Sequence, residues 1–253
     1  MGAFVLVHGS WHGGWCWAEV APLLEAAGHR VLAPDLRGLG AETIPAAEVT
    51  LQTWVDQIGD LLRGQPEPVV LVGHSRAGIV VSEVAEAMPD AVAALVYLCA
   101  FLPQDGESLI QLAQSDRQGQ ILPHVAVDEE RGCHTLDQDA ARDLLYGQSP
   151  VAAAERAVAR LRPEPNAPTF TPVRLTEERF GRVPRFYIRC ANDRVISPEL
   201  QDRMAAASPC RRVFTLAADH SPWLSAPGEL ADLLATIVAR EEASTRNRLA
   251  TAG

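Results

Sequence analysis

One six-residue run constrains the fold of this chain more than any other: residues 73–78, which read GHSRAG. A β-branched apolar segment at 68–72 precedes it and predicts a buried parallel strand, and apolar residues at helical spacing follow it over 79–87. The terminal glycines of the run have no Cβ, so strand and helix can crowd together while Ser75 takes a strained backbone conformation with its hydroxyl exposed. The run predicts a serine nucleophile if the chain also supplies a base, an acid and an oxyanion hole.

Strand-like and helix-like segments alternate along most of the chain. The strand-like segments are nearly continuous apolar runs, typical of strands covered on both faces, and lie at 3–7, 30–33, 68–72, 91–99, 185–189 and 212–216. Helical periodicity separates them, at 15–27, 51–63, 75–87, 198–207 and 226–242. The alternation predicts the α/β class, with a doubly wound, mostly parallel sheet of six strands.

The segment 103–183 interrupts this alternation after the fourth strand. It is polar and proline-rich, and it shows helical patterns at 106–114, 137–146 and 150–161. We expect a helical cap over the carboxyl ends of the strands, where it would shape a substrate pocket and exclude water. The remaining residues, 1–102 and 184–253, form the predicted core, and the cap is an insertion rather than an independent domain.

Composition restricts the classes of partner. A chain of 253 residues fits one large α/β domain with an insertion. The formal net charge of −10 and the pI near 5.2 argue against nucleic acid or an anionic membrane as the main partner. Neither an apolar run of membrane-spanning length nor a secretory signal is visible. The sequence therefore predicts a soluble cytoplasmic protein, with a homodimer left open.

The five cysteines are scattered, and none forms a C-x-x-C pair. This pattern disfavours a disulfide framework or a zinc site and favours reduced, buried thiols. The glycine-rich loop at 8–14 follows a strand, but it has neither the G-x-G-x-x-G pattern nor the lysine-bearing P-loop pattern. We expect neither a metal nor a cofactor.

His220 and Asp193 are the predicted base and acid. His220 lies between the last strand and the last helix, and Asp193 directly follows the fifth strand, so both loops lie at the same sheet edge as Ser75. The acid would hold the imidazole tautomer and stabilise the imidazolium. Asp219 and Asp105 are the alternatives for the acid: the first is adjacent to His220 and rarely able to fold back onto its ring, and the second follows the fourth strand.

An oxyanion hole needs two backbone N–H groups directed at the developing charge. We expect one from Arg76, which follows the nucleophile, and one from Ser10 in the loop after the first strand. The Arg76 guanidinium has two interpretations, a salt bridge to a neighbouring carboxylate or a contact with an anionic part of the substrate. The salt bridge is favoured, because buried arginines nearly always need a partner.

Several motifs resemble the plant methylesterase and hydroxynitrile lyase branch of the α/β-hydrolases. These are the run 8–17, which reads HGSWHGGWCW, the run 22–29, the run 175–181, and the Asp193 and His220 loops. The resemblance spans nearly the whole chain and is weakest in the cap. It implies the capped hydrolase fold, Ser75, Asp193 and His220 as the triad, and the oxyanion donors named above.

Two positions separate the chemistries of this branch. Its lyases typically carry a threonine after the first motif histidine and a lysine after the catalytic histidine, where this chain has Gly9 and Ser221. The resemblance therefore implies a serine hydrolase that cleaves a carboxylic ester, with small or methyl esters favoured. Lyase chemistry, lactone or thioester hydrolysis and a non-enzymatic ligand-binding protein are the alternatives. The residues expected near the small-molecule ester are Gly9, Trp11, His74, Ser221 and Trp223.

Overall fold

The computed structural model describes residues 2–41 and 44–251, with side chains described as far as Ala239. Six strands form the main sheet, in the order β2-β1-β3-β4-β8-β9, and every neighbouring pair is parallel. Their bounds are β1 Ala3–Val7, β2 Arg30–Leu32, β3 Val69–His74, β4 Val92–Leu98, β8 Arg185–Cys190 and β9 Arg212–Leu216. The predicted α/β class and six-stranded sheet are confirmed.

Helices cover both faces of this sheet. Their bounds are α1 Ala21–Ala26, α2 Leu51–Arg63, α3 Ala77–Ala87, α8 Pro198–Ala207, α9 Pro222–Ser225 and α10 Pro227–Thr251. The apolar residues of α2 lie on one buried stripe, and the Thr50 side chain caps its first turn. By contrast, α3 is buried almost all round, because it packs directly behind β3 and β4.

The predicted helix 15–27 is wrong as a continuous element. A 3-10 turn at Gly14–Trp17 comes first, and α1 begins only at Ala21. Pro22 explains the interruption: proline has no N–H to donate, so it is tolerated in the first turn of a helix but not in its interior. At the other end, α10 runs to Thr251, beyond the predicted limit at 242.

The segment between β4 and β8 forms a separate layer above the sheet. Three of its helices match the predicted patterns: α4 Leu109–Ser115, α5 Gln138–Leu145 and α6 Val151–Val158. The short α7 Asn166–Phe170 lies outside them. It also contains a three-stranded antiparallel sheet of β5 Val125–Asp128, β6 Cys133–Leu136 and β7 Glu164–Pro165. The sequence patterns indicate a mainly helical cap and do not reveal this small sheet. Four residues or fewer per strand give too little alternation to be recognised in the sequence.

The core extends through both layers of the molecule. Cysteines 16, 99, 133 and 190 are buried, and all five cysteines are free thiols, as predicted. In the described residues, no helix combines the length and the apolar character that crossing a membrane requires.

Candidate active site

Ser75 occupies the turn between β3 and α3, at the carboxyl edge of the parallel sheet. Its φ of 55° lies in the left-handed region that non-glycine residues rarely adopt, so this turn is strained. A Cβ on Gly78 would lie 1.9 Å from the Phe101 carbonyl oxygen, and one on Gly73 would lie 2.9 Å from the Ala77 carbonyl oxygen. Glycine is needed at both positions because the backbones are packed against each other there.

A chain of hydrogen bonds joins Ser75, His220 and Asp193. His220 Nδ1 lies 2.8 Å from Asp193 Oδ2, and His220 Nε2 lies 2.9 Å from Ser75 Oγ. A carboxylate can only accept, so His220 Nδ1 carries the proton and donates it. His220 Nε2 is then an unprotonated acceptor for the Ser75 hydroxyl. The structure thus brings the predicted nucleophile, base and acid together in the tautomer that proton abstraction requires.

The carboxylate of Asp193 is held on both oxygens. Its Oδ1 accepts the backbone N–H groups of Val195 at 2.8 Å and Ile196 at 3.0 Å, and its Oδ2 also accepts from Gln201 Nε2 at 3.2 Å. These donors fix the orientation of the carboxylate towards the imidazole. Asp193 is 3% exposed, so the bonds also offset the cost of burying its charge.

The two alternative acids have structural partners elsewhere. Asp105 is exposed and accepts the Leu175 N–H at 2.9 Å. Asp219 accepts the Ser225 hydroxyl at 2.7 Å on one oxygen and the Gln148 N–H at 2.8 Å on the other. Among the described residues, neither of these two carboxylates forms a hydrogen bond with the His220 imidazole. Asp219 instead links the loop after β9 to the cap.

The two predicted oxyanion donors are unpaired. In the described part of the chain, neither the Ser10 N–H nor the Arg76 N–H donates to a protein acceptor. Ser10 and Ser75 line the same cavity, and Arg76 directly follows Ser75. A Cβ added to Gly9 would lie 2.9 Å from Ser75 Cβ, which shows how closely this loop approaches the serine. Both N–H groups are therefore available to a developing negative charge.

Three further buried histidines surround this edge of the sheet. His8 accepts the Leu36 N–H on Nε2, so its Nδ1 donates to the Gly9 carbonyl at 2.9 Å. His12 Nδ1 lies 2.6 Å from the Ser10 carbonyl oxygen, and His74 Nε2 lies 2.8 Å from the carbonyl oxygen of residue 220. Burial lowers the pKa of His12 to about 3, and it lowers the pKa values of His8 and His74 well below 6.5. All three are neutral supports for the backbone.

His74, Cys99 and His220 bring their ligand-type atoms within 4.8 Å of one another. Both ring nitrogens of His220 are already hydrogen-bonded to the triad partners. Burial raises the pKa of the Cys99 thiol well above its ordinary value, which disfavours the thiolate that a metal would need. These donors therefore do not suit a metal ion. The prediction of no metal and no cofactor stays a prediction.

A cavity of about 90 Å³ opens beside Ser75. Its polar wall residues, besides Ser75, are Ser10, His134 and Thr169. Most of the wall is apolar. Trp11 comes from the loop after β1 and Phe101 from the segment after β4, and the cap contributes Leu109, Ile121, Val125 and Phe170 among others. An apolar wall beside a nucleophile suits a substrate that buries a hydrocarbon part and presents one polar bond.

Among the residues predicted to contact the substrate, Trp11 lies in this wall. Gly9, His74, Ser221 and Trp223 are not among the wall residues, and their contact with the substrate stays a prediction. The last three are buried beside the imidazole of the triad: the His74 ring centroid lies 4.8 Å from that of His220, and Trp223 packs edge-on against several neighbouring rings. The position of the cap decides which side of this edge a substrate can reach, and the sequence does not encode that position locally.

The Arg76 guanidinium forms the predicted ion pair rather than facing the substrate. Its Nε lies 2.8 Å from Oε1 of Glu164, at the start of β7, and both side chains are at most 1% exposed. The guanidinium also stacks over the Trp54 ring, 4.1 Å from its centroid. Burial lowers the pKa of Arg76, and the Glu164 carboxylate opposes that shift.

Two cap residues at this site were not recognised in the sequence. Glu164 pairs with Arg76, and His134 presents a polar edge in the cavity wall while its Nδ1 lies 2.8 Å from Asn166 Oδ1. A buried arginine predicted directly after Ser75 does imply a carboxylate partner. The sequence offers many acidic residues for that role, and nothing in the local pattern distinguishes Glu164 from the others.

Comparison with known proteins agrees with this geometry. A family model described as the alpha/beta hydrolase family matches residues 4–233. The chain belongs to the α/β-hydrolase family. Methylesterase 1 of Arabidopsis thaliana is 33% identical to it over 249 residues, which cover 90% of this chain and 93% of that protein. The predicted membership in the methylesterase branch of the α/β-hydrolases is therefore confirmed.

One relative is longer than this chain, and one solved neighbour is named for the class of compound that it hydrolyses. A chloroplastic protein, number 11 in the methylesterase series of Arabidopsis thaliana, is 34% identical over 253 residues, and the match covers 92% of this chain but 63% of that protein. The solved structure of a pyrethroid hydrolase from Sphingobium faniae JZ-2 has a TM-score of 0.83 and 29% identity to this α/β-hydrolase, over 93% of this chain and 96% of that one.

Proposed function

We propose that this α/β-hydrolase is a serine esterase that cleaves carboxylic esters through an acyl-enzyme on Ser75. The observation that carries the proposal is the hydrogen-bonded chain from Asp193 through His220 to Ser75, at the mouth of an apolar cavity. The relative named methylesterase supports ester bonds as the target, and the neighbour named pyrethroid hydrolase supports a hydrolytic reaction. Ester hydrolysis needs only a nucleophile, a base and oxyanion donors, and this edge of the sheet supplies all three.

The first half of the reaction forms the acyl-enzyme. Ser75 Oγ attacks the ester carbonyl carbon while His220 Nε2 takes the hydroxyl proton. The carbonyl oxygen gains negative charge and accepts from the Ser10 and Arg76 N–H groups. When the tetrahedral intermediate collapses, the bond from carbon to the alkoxy oxygen breaks, and His220 gives its proton to the departing alcohol. Asp193 holds the imidazolium in place throughout.

The second half returns the enzyme to its starting state. Water attacks the acyl carbon, and His220 accepts the proton from that water. The same two N–H groups stabilise the second oxyanion, and the bond to Ser75 Oγ then breaks as His220 returns a proton to that oxygen. The products are a carboxylic acid and an alcohol. No step in this sequence uses a group from outside the chain other than water.

Two residues favour ester hydrolysis over cyanohydrin cleavage. A Cβ on Gly9 would lie 2.8 Å from His74 Nδ1 and 2.9 Å from Ser75 Cβ, so the threonine of the lyases does not fit here without displacing the serine. Ser221 is fully buried and offers no cation to hold a departing cyanide. The missing charge-assisted contact to cyanide alone is worth about 1.5–3 kcal/mol, enough to suppress lyase turnover strongly.

The cavity supports a carboxylic ester with a compact, apolar acid part, and methyl esters are the first class to test. A screen should compare methyl and p-nitrophenyl esters with a lactone, a thioester and mandelonitrile, using Ser75→Ala as the control. We expect Ser75-dependent hydrolysis of esters and no cyanide release above the uncatalysed rate. Efficient, Ser75-dependent cyanide release would contradict the esterase proposal. A cytoplasmic location and a homodimer stay predictions.

A further inference from the structure

The peptide that joins Gly9 to Ser10 is held through its carbonyl oxygen, while its N–H has no protein acceptor among the described residues. The Gly9 carbonyl oxygen accepts from His8 Nδ1 at 2.9 Å and from Arg76 Nη2 at 3.2 Å. In a trans peptide the C=O and the following N–H point in opposite directions within one plane. Two donors on the carbonyl therefore fix the direction of the Ser10 N–H, which faces away from them and has no protein acceptor among the described residues.

The next peptide is fixed at both ends. The Ser10 carbonyl oxygen lies 2.6 Å from His12 Nδ1, and the Trp11 N–H donates to Glu164 Oε2 at 2.8 Å. Trp11 has a φ of 62°, a left-handed conformation that costs energy for a bulky residue. The Arg162 N–H donates to the Trp11 carbonyl at 2.9 Å. The cap therefore holds this strained loop from both sides of Trp11.

The Glu164 carboxylate links the Trp11 N–H to Arg76, which in turn holds the Gly9 carbonyl. Glu164 uses Oε1 for Arg76 Nε and Oε2 for the Trp11 N–H, so each of its oxygens has a partner in the core. The planar guanidinium presents Nε and Nη2 in a fixed fork, so pairing Nε with Glu164 also sets where Nη2 meets the Gly9 carbonyl. Stacking over Trp54 fixes the plane of that fork.

We propose that the buried Arg76–Glu164 pair is a clamp that positions the Ser10 N–H for oxyanion stabilisation and so couples the seating of the cap to catalysis. The proposal rests on the proposed esterase function. The two side chains touch neither the ester nor the reacting atoms; they are positioning residues that act through the Gly9 and Trp11 peptides. The competing explanation is an ion pair that only stabilises the fold.

Charge-neutral replacements separate the two explanations. Arg76→Met and Glu164→Gln each leave one buried partner unpaired, and both should lower Tm strongly. The double variant removes both charges and should regain much of that Tm. It still lacks the donor to Gly9, so we expect kcat for a p-nitrophenyl ester about 10–100-fold below wild type with KM little changed. Affinity for a trifluoromethyl ketone, which forms a tetrahedral adduct on Ser75, should fall by the same factor.

Arg185→Met is the matched control. Arg185 is also a buried arginine, stacks over an aromatic ring at 4.4 Å and donates to the Phe180 carbonyl at 2.9 Å, but it lies at the start of β8, at the opposite edge from the serine. This variant should lower Tm without changing kcat or the inhibitor affinity. Arg76→Lys is the second variant to test if the others do not fold. Lysine keeps the positive charge but lacks the planar pair of donors Nε and Nη2. Arg76→Lys should keep Tm near wild type and still lose about tenfold in kcat.

Hydrogen exchange of the segment 8–14 provides a readout that needs no substrate. The double variant and Arg76→Lys should exchange faster there than wild type, and Arg185→Met should not. A folded double variant, or Arg76→Lys, with wild-type kcat and wild-type exchange would overturn the clamp. If the wild type hydrolyses no ester, the proposed function fails instead, and the exchange comparison still decides whether the pair orders the loop.

Discussion

The carboxyl edge of the main sheet and the cap above it contribute different things to the site. The edge supplies Ser75, His220, Asp193 and the two unpaired N–H groups, and the side chains of this triad are hydrogen-bonded to one another at 2.8 and 2.9 Å. The cap supplies mostly apolar surface, on short strands and helices. The core therefore sets which bond reacts, and the cap sets which molecule brings that bond to the serine.

Some of the polar contacts between the two regions lie close to the Ser10 N–H. Glu164 reaches from the cap to Arg76 and Trp11, and the Tyr146 hydroxyl lies 2.7 Å from His12 Nε2. Trp11 and His12 belong to the loop that carries the Ser10 N–H, and Arg76 follows the nucleophile. A division into reactive core and selective cap therefore predicts large kinetic effects for core variants, small ones for variants of the cavity wall, and an intermediate class at the junction.

The largest expected effect is that of Ser75→Ala. Removing the nucleophile should lower kcat for esters by about 10⁵–10⁶-fold, because the triad acts as a unit. Stopped assays with a p-nitrophenyl ester give the rate, and a serine-directed phosphonate should label the wild type once per chain. A folded variant that keeps its activity and its labelling would remove Ser75 from the reaction.

The next effect tests the choice of acid. Asp193→Asn should lower kcat by about 10³–10⁴-fold, because an amide stabilises the wrong tautomer of His220. Asp105→Asn and Asp219→Asn are the matched controls and should change kcat by only a few fold. Steady-state kcat values of the three purified variants test this choice. A large loss of kcat in Asp105→Asn, with kcat retained in Asp193→Asn, would show that Asp105 is the acid.

The buried histidines of the core edge predict that acid destabilises the protein. His8, His12 and His74 are neutral in the fold, and the unfolded chain binds their protons below pH 6.5, so stability falls as the pH falls from 6.5 towards 3. At pH 5.5 each should cost about 1.4 kcal/mol, or about 4 kcal/mol together. Urea unfolding at pH 7.5, 6.5 and 5.5 measures this slope.

His12→Gln should lower by one the number of protons that the chain takes up on unfolding in acid, and so reduce the dependence of the unfolding free energy on pH. A free energy of unfolding that stays constant between pH 7.5 and 5.5 would show that these imidazoles are not buried in neutral form.

The smallest effect concerns the cavity wall. Phe170 is half exposed and lines the cavity, so Phe170→Ala should change KM for esters with bulky apolar acid parts by up to about tenfold while leaving kcat for p-nitrophenyl acetate near wild type. Val151→Ala, at an exposed cap position outside the wall, is the control. Equal changes for small and bulky esters would argue against the cap as the selective region.

Most of the core and three helices of the cap could be predicted from the sequence, but the small sheet of the cap could not. The strands 68–72 and 185–189 were recognisable because buried parallel strands are continuous apolar runs. The strands of the cap are two to four residues long. β5 and β6 form a local hairpin, whereas β7 joins β6 from a segment beyond α5 and α6. Short elements have weak periodicity, so their pairing depends on tertiary packing.

The serine turn and the loops that carry Asp193 and His220 follow from the sequence alone. Both depend on local rules: the steric need for glycine at a sharp turn, and the placing of loops at one edge of a parallel sheet. The choice of cap residues that line the cavity and the pairing of Glu164 with Arg76 depend on long-range packing. Trp11 and Glu164 are 153 residues apart along the chain, and contacts at such separation follow from how two layers pack together, which no short pattern specifies.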